Sequence, residues 1–120
     1  MATKIMIVDD AAFMRITLKS ILQKAGYEVE EAVDGQDAVD KYRKIKPDAV
    51  TMDITMPNKD GLEAATEIRS QNPDAVIIMC TALGQENLIR KAVQIGVKDF
   101  IVKPFDPERV ISAVQGALKK

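Results

Sequence analysis

The chain has 120 residues, 47% of them hydrophobic, and a net charge of −1 with 29% charged side chains, which suits one domain with a proper core and gives no like-charged run for nucleic acid or an anionic membrane. No apolar stretch reaches the length of about 18 residues that spans a bilayer, the start Met-Ala-Thr-Lys lacks a signal-peptide layout, and a lone Cys80 excludes an intramolecular disulfide, as expected for a cytoplasmic protein. The absence of histidine removes Ser-His-Asp and Cys-His catalysis, histidine-ligated metals and a phosphohistidine carrier role.

Residues 4–8 read as a near-continuous apolar strand that runs into Asp9-Asp10. The helix predicted over 12–25 places Met14, Leu18, Ile21, Leu22 and Ala25 on one face, with Gly26 as its C-cap. A second strand over 27–32 carries Tyr27, Val29 and Glu31 on one face and acids at Glu28 and Glu30, a pattern suited to a sheet edge. After the Asp34-Gly35 turn, Ala38, Val39, Tyr42 and Ile45 mark a helix that Lys46-Pro47-Asp48 ends. The third strand, 49–53, ends on Asp53; a loop to Gly61 then leads into a helix marked by Leu62, Ala65 and Ile68. Asn72-Pro73-Asp74 breaks that helix ahead of a fourth strand over 75–80, with Cys80 as a small buried residue and Thr81 at its end. The helix over 85–95 is expected to turn Leu88, Ile89, Ala92 and Val93 inward and to exit at Gly96. The fifth strand, 99–102, precedes Lys103-Pro104; Asp106 as N-cap, Pro107 and Glu108 then open a last helix carrying Val110, Ile111, Val114 and Leu118, with Lys119-Lys120 at its end.

Five strand–helix units with nearly continuous apolar strands imply a parallel sheet covered on both faces, a flavodoxin-like doubly wound (βα)5 three-layer sandwich in one domain spanning 1–120. Right-handed crossovers create a switch point, and ligands bind there, outside the carboxyl ends of the strands. With strand order 2-1-3-4-5 the switch point lies between strands one and three, which end in Asp9, Asp10 and Asp53.

Carboxylates gathered at strand ends repel unless their pKa values rise or a cation joins them. Asp9 or Asp10 could instead cap the first helix, and Asp53 could simply close its strand. Convergence on one crevice favours a cation, and a hard, all-oxygen, partly solvated set suits Mg²⁺ better than calcium or zinc. Lys103 and Thr81 end strands that open into the same crevice, although each also has a plainer reading, as a snorkelling lysine and a helix N-cap. A carboxylate nucleophile, a metal site, a lysine and a hydroxyl together compose a phosphoryl-transfer site.

Val8-Asp9-Asp10, Met52 to Pro57 with Asp60-Gly61, Thr81-Ala82 and Lys103-Pro104-Phe105 resemble the signatures of the receiver domain of bacterial two-component response regulators, in order along the whole chain. The runs Asp9 to Arg15 and Thr51 to Pro57 are most similar to those of its single-domain chemotaxis members. The resemblance implies that Asp53 is the phosphoacceptor, that Asp10 binds Mg²⁺ directly and Asp9 mostly through water, and that the backbone carbonyl of Thr55 is a further ligand. It implies that Thr81 is the switch hydroxyl, Lys103 the counter-charge, and the Lys103-Pro104 bond cis. The switch aromatic three residues before the lysine is Phe100, which has no hydroxyl, so burial of its ring must carry the switch. Leu83 places no acid or amide beside the attacking water, so Leu83→Glu is expected to change the decay of phosphoryl-Asp53.

The implied role is that of a monomeric, cytoplasmic signalling protein with no output domain, catalysing only its own phosphorylation and dephosphorylation. Its expected partners are a histidine kinase of chemotaxis type, the flagellar motor switch protein and a phosphatase, with neither nucleic acid nor membrane. A phosphorelay intermediate that passes its phosphoryl group to a histidine phosphotransfer protein is the alternative. A carboxylate-nucleophile phosphatase needs Asp-x-Asp where this chain has Asp53-Ile54-Thr55, and a flavin binder needs a phosphate-cradling loop where Asp9-Asp10-Ala11-Ala12 would repel one.

Overall fold

A computed structural model describes residues 2–82 and 84–119. The elements are β1 (Lys4–Val8), α1 (Ala12–Lys24), β2 (Glu28–Ala32), α2 (Gly35–Ile45), β3 (Ala49–Asp53), α3 (Gly61–Gln71), β4 (Ile77–Thr81), α4 (Glu86–Ile95), β5 (Asp99–Val102) and α5 (Pro107–Leu118). All strand pairs are parallel, as the alternation implies, and the sheet order is β2-β1-β3-β4-β5, the expected order that puts the switch point between strands one and three. The acid-studded β2 takes an edge, while β3 and β4, buried at every residue, occupy the interior.

Alternate strand residues feed two cores, because successive side chains point to opposite faces. Met6, Val8, Val50, Met52, Ile77 and Met79 pack under α2, α3 and α4, against Ala38, Val39, Ala64, Ala65, Ile68 and Ala92. Ile5, Ile7, Ala49, Ile78, Cys80 and Ile101 pack under α1 and α5, against Leu18, Leu22, Val110, Ala113 and Val114. Each large aliphatic side chain sealed in these layers stabilises the fold by about 1.5–3 kcal/mol. Short helix residues over the first core, four of them alanine, let three helices lie close to the sheet. Burial also pushes the Cys80 thiol up to about 12.

Several local expectations are corrected. Val93 is 63% exposed, because α4 meets the core along Leu88, Ala92 and Ile95 and rolls Val93 to the solvent side. Strand four starts at Ile77 rather than Ala75, since the turn at 72–74 holds Ala75, whose N–H donates to Asn72 O at 3.0 Å. Strand two starts at Glu28, after a Tyr27 N–H that still donates to Leu22 O at 3.1 Å. Helix α1 closes on Ala25, which is exposed, and Gly26 follows with φ of +96°. Asp106 stands at the N-cap of α5, but its side chain makes no capping hydrogen bond; Pro107 alone sets that turn. Leu83 and Lys120 lie outside the described residues.

Two caps work as their residue types suggest. The Asp37 N–H donates to Asp34 Oδ1 at 2.8 Å and opens α2; the Glu63 N–H donates to Asp60 Oδ1 at 2.9 Å and opens α3. Asp34 also accepts from Asn58 Nδ2 at 2.7 Å, and these bonds, led by that from Asp37, hold its carboxyl below the usual range. The loop after β3 is thereby braced against α2. The Lys59 carbonyl accepts from Gly35 N–H at 3.1 Å in the same contact, and Lys59 pairs with Glu67 on α3.

Candidate functional site

The carboxyl ends of β1, β3, β4 and β5 meet at one end of the sheet. Asp9 continues the β1 ladder, its N–H donating to Ala32 O at 3.2 Å. Its side chain is sealed from solvent, and both oxygens are engaged: Oδ1 accepts from Ala11 N–H at 2.9 Å and Oδ2 from Lys103 Nζ at 3.1 Å. Arg15 clamps the same residue, donating from Nη1 to Asp9 O at 2.8 Å while Nε pairs with Glu31 at 3.2 Å. Asp9 is therefore fixed, whereas Asp10 is exposed and opens the cluster to water.

Asp53, at the end of β3, is 7% exposed. Gly61 sets its position from behind. A Cβ there would lie 2.0 Å from Asp53 O, and the Gly61 N–H donates to Ile54 O at 2.7 Å, so only glycine lets α3 start this close to the strand. Burial raises the Asp53 pKa, Lys103 opposes the rise and Asp9 adds to it. Lys103 Nζ stands 3.1 Å from Asp53 Oδ1 as well as 3.1 Å from Asp9 Oδ2. Burial works against its charge, but Asp53 and Asp9 outweigh burial and raise its pKa. A Lys103 N–H to Thr81 O bond of 2.7 Å fixes the chain direction at the lysine, and the Lys103-Pro104 peptide is cis.

Thr81 is fully buried at the end of β4, and its Oγ1 has no hydrogen-bond partner among the described residues. It caps no helix, since Gln85 is the N-cap residue of α4. Nor does either aspartate cap α1, which opens from Ala11. Thr55 is exposed in the loop after β3, where its hydroxyl accepts from Gln85 Nε2 at 2.9 Å. Phe100 stands outside the charged cluster, across from Met79 and 38% exposed. The structure thus brings Asp9, Asp10, Asp53 and Lys103 together, with Thr81 beside them and Phe100 apart.

One ligand oxygen from each of Asp9, Asp10 and Asp53 lies within 4.8 Å of the others. Three hard oxygen donors, one of them open to solvent, fit a small divalent cation that keeps several waters. Two functional neighbours were not legible in the sequence. Arg15 reaches Asp9 and Glu31 across two elements, and Gln85 bridges Ala82 and Thr55. No residue pattern near either side chain announces those partners.

Residues 5–115 match the family model described as response regulator receiver domain. The chain is 53% identical over 120 residues to the chemotaxis protein CheY of Thermotoga maritima, covering 99% of this chain and 100% of that protein. It is 54% identical over 119 residues to the CheY of Bacillus subtilis, with 98% and 99% covered. Among solved structures it is similar to a putative response regulator from Chloroflexus aurantiacus, at a TM-score of 0.95 and 30% identity with both chains fully covered. A chain of the CheX–CheY–BeF3–Mg²⁺ complex from Borrelia burgdorferi superposes with a TM-score of 0.94 at 37% identity, covering 98% of this chain and 90% of that one.

Proposed function

The chain belongs to the response regulator receiver domain family, and on that footing we propose that it is a stand-alone, Mg²⁺-dependent phosphoacceptor of chemotaxis type, loaded on Asp53 by a histidine kinase. The observation that carries this reading is Lys103 Nζ at 3.1 Å from both Asp53 and Asp9, with Asp10 completing a three-carboxylate cluster. Similarity over 99–100% of the length of two CheY proteins supports the chemotaxis type of this receiver domain.

In this reading a carboxylate oxygen of Asp53 attacks the phosphorus of a phosphohistidine in line. The P–N bond breaks and its electron pair stays on the imidazole nitrogen. Asp10, Asp53 and the Thr55 carbonyl would hold Mg²⁺ directly and Asp9 would hold it through water, and the charge it would supply there neutralises phosphoryl oxygens. Its assignment to Asp9 through water fits the two hydrogen bonds that already occupy that carboxylate. Lys103 answers the charge that Asp53 gains, and the unpartnered Thr81 hydroxyl has a proton ready to donate to a phosphoryl oxygen. Hydrolysis reverses the state: water attacks phosphorus, the P–O bond to Asp53 breaks, and the carboxylate is restored.

Phosphorylation adds about −1.5 to −2 charges to a crevice that already holds three carboxylates. Donation from Thr81 draws the loop after β4 inward, and Phe100 follows into the space released. This is a two-state bias set by local electrostatics. Exposed Val93, Phe100 and Val102 give the α4 and β5 side an apolar surface for a partner to read, the flagellar motor switch in a chemotaxis setting. The same loaded state would be presented to a phosphatase. None of the described helices is long and apolar enough to cross a membrane; the role proposed is that of a cytoplasmic monomer.

Capture of lysate proteins with and without Mg²⁺ and beryllofluoride tests the output. Recovery of the motor switch protein only with the mimic supports the reading; recovery of a histidine phosphotransfer protein instead would make this chain a relay intermediate.

A further inference from the structure

Gln85, which the phosphoryl chemistry above does not use, joins the two loops that rim the crevice. Its Oε1 accepts from Ala82 N–H at 2.7 Å, and its Nε2 donates to Thr55 Oγ1 at 2.9 Å. Ala82 directly follows Thr81 at the end of β4, and Thr55 lies two residues beyond Asp53 at the end of β3. One side chain therefore clasps the β4–α4 loop to the β3–α3 loop. Its backbone starts α4, where the Gln85 carbonyl accepts from Leu88 N–H at 2.9 Å and Ile89 N–H at 3.3 Å. As N-cap residue it makes no side-chain cap, so the amide is free to serve the clasp.

The neighbour of one clasped residue is under the opposite condition. Thr81 Oγ1 is buried and lacks a partner among the described residues, a costly state for a hydroxyl. A shift of the segment carrying Thr81 and Ala82 toward an anion on Asp53 would relieve it. Such a shift would work against the hydrogen bonds that tie Ala82 to Gln85 and Gln85 to Thr55.

We propose that Gln85 is a positioning residue that holds the loop after β4 away from Asp53 in the unphosphorylated form, and so opposes loading of the site; this rests on the phosphoacceptor reading of Asp53. The clasp sets how readily the switch is thrown. It touches none of the reacting atoms.

Beryllofluoride titration in Mg²⁺ of the full chain, with amide exchange at Ala82 in the free protein, tests the proposal. Q85A is expected to bind beryllofluoride about two- to tenfold more tightly, the worth of an ordinary hydrogen bond, and to exchange the Ala82 amide faster. T55V, which keeps the backbone carbonyl, should give a smaller gain, and the Q85A/T55V pair no more than Q85A alone. Unchanged or weaker binding by Q85A, with or without a change in unfolding midpoint, overturns the proposal, as does an additive double variant. Failure of the wild type itself to bind would refute the Asp53 reading instead, and the proposal with it.

Discussion

Gly61→Ala adds one methyl group at the point where α3 passes behind Asp53. The new Cβ would stand 2.0 Å from Asp53 O and 2.9 Å from both Asp53 C and Ile54 Cα, more than an ångström inside ordinary contact with the oxygen. All three atoms are backbone, so no side chain can swing away. The segment is also pinned by the Gly61 N–H to Ile54 O bond of 2.7 Å. Overpacking costs about 1–3 kcal/mol, and a backbone clash belongs at the upper end, about 3 kcal/mol. With a urea dependence of about 1–3 kcal/mol per molar for a small domain, the midpoint should fall by about 1–3 M. Phosphoryl loading should fall further than stability alone explains, because displacing the acceptor by about 1 Å can cost about a hundredfold. Gly116→Ala provides the contrast: a Cβ there meets nothing within 4 Å in the last turn of α5, so alanine should stabilise by about 0.4–1 kcal/mol. Urea unfolding and the rate of loading from a small phosphoramidate measure both. A Gly61→Ala protein with the wild-type midpoint and loading rate would refute the reasoning.

Lys103→Met leaves Asp53 and Asp9 without their shared cation. Sealed ion pairs lose about 3–5 kcal/mol on such a change, but Asp10 opens this site to water, so a loss of about 1–2 kcal/mol is expected in urea unfolding at neutral pH, together with a fall in loading of about a hundredfold. Unaltered loading would remove Lys103 from the chemistry. Asp34→Ala should cost about 1 kcal/mol through its lost cap. Because the Asp34 carboxyl is held below its ordinary 3.8, that contribution is present above 3.8 and fades as pH falls below it, so the wild-type advantage should shrink in acid; a constant difference down to pH 2 would contradict the assignment. The Cys80 thiol, buried and pushed up to about 12, should resist a maleimide at pH 8 until urea unfolds the chain; prompt labelling of the folded protein would show the core open there.

The sheet was legible because its strands are short apolar runs between turn residues, and because parallel crossovers leave few orders to choose from. The site residues were legible for the same reason, since each ends a strand. Their grouping is not local: Lys103 and Asp9 are 94 residues apart and meet only through the topology. Periodicity was less informative for α4. Leu88, Ile89, Ala92 and Val93 form a wide apolar stripe, and the sequence cannot say how far the helix rolls about it; packing on small Ala92 leaves Val93 in water. Asp106 has the right chemistry for a cap and the right position, yet an N-cap side chain must also take the rotamer, and here it does not. Gln85 was invisible because its partner Thr55 is 30 residues away on another loop.

The most direct test of the central claim is to load the protein with a small phosphoramidate in Mg²⁺, reduce the acyl phosphate with borohydride, and map the resulting homoserine by mass spectrometry. The account predicts a single homoserine at position 53, dependent on Mg²⁺ and lost in Asp53→Asn. Homoserine at Asp9 or Asp10, or undiminished loading of the Asp53→Asn protein, would contradict it.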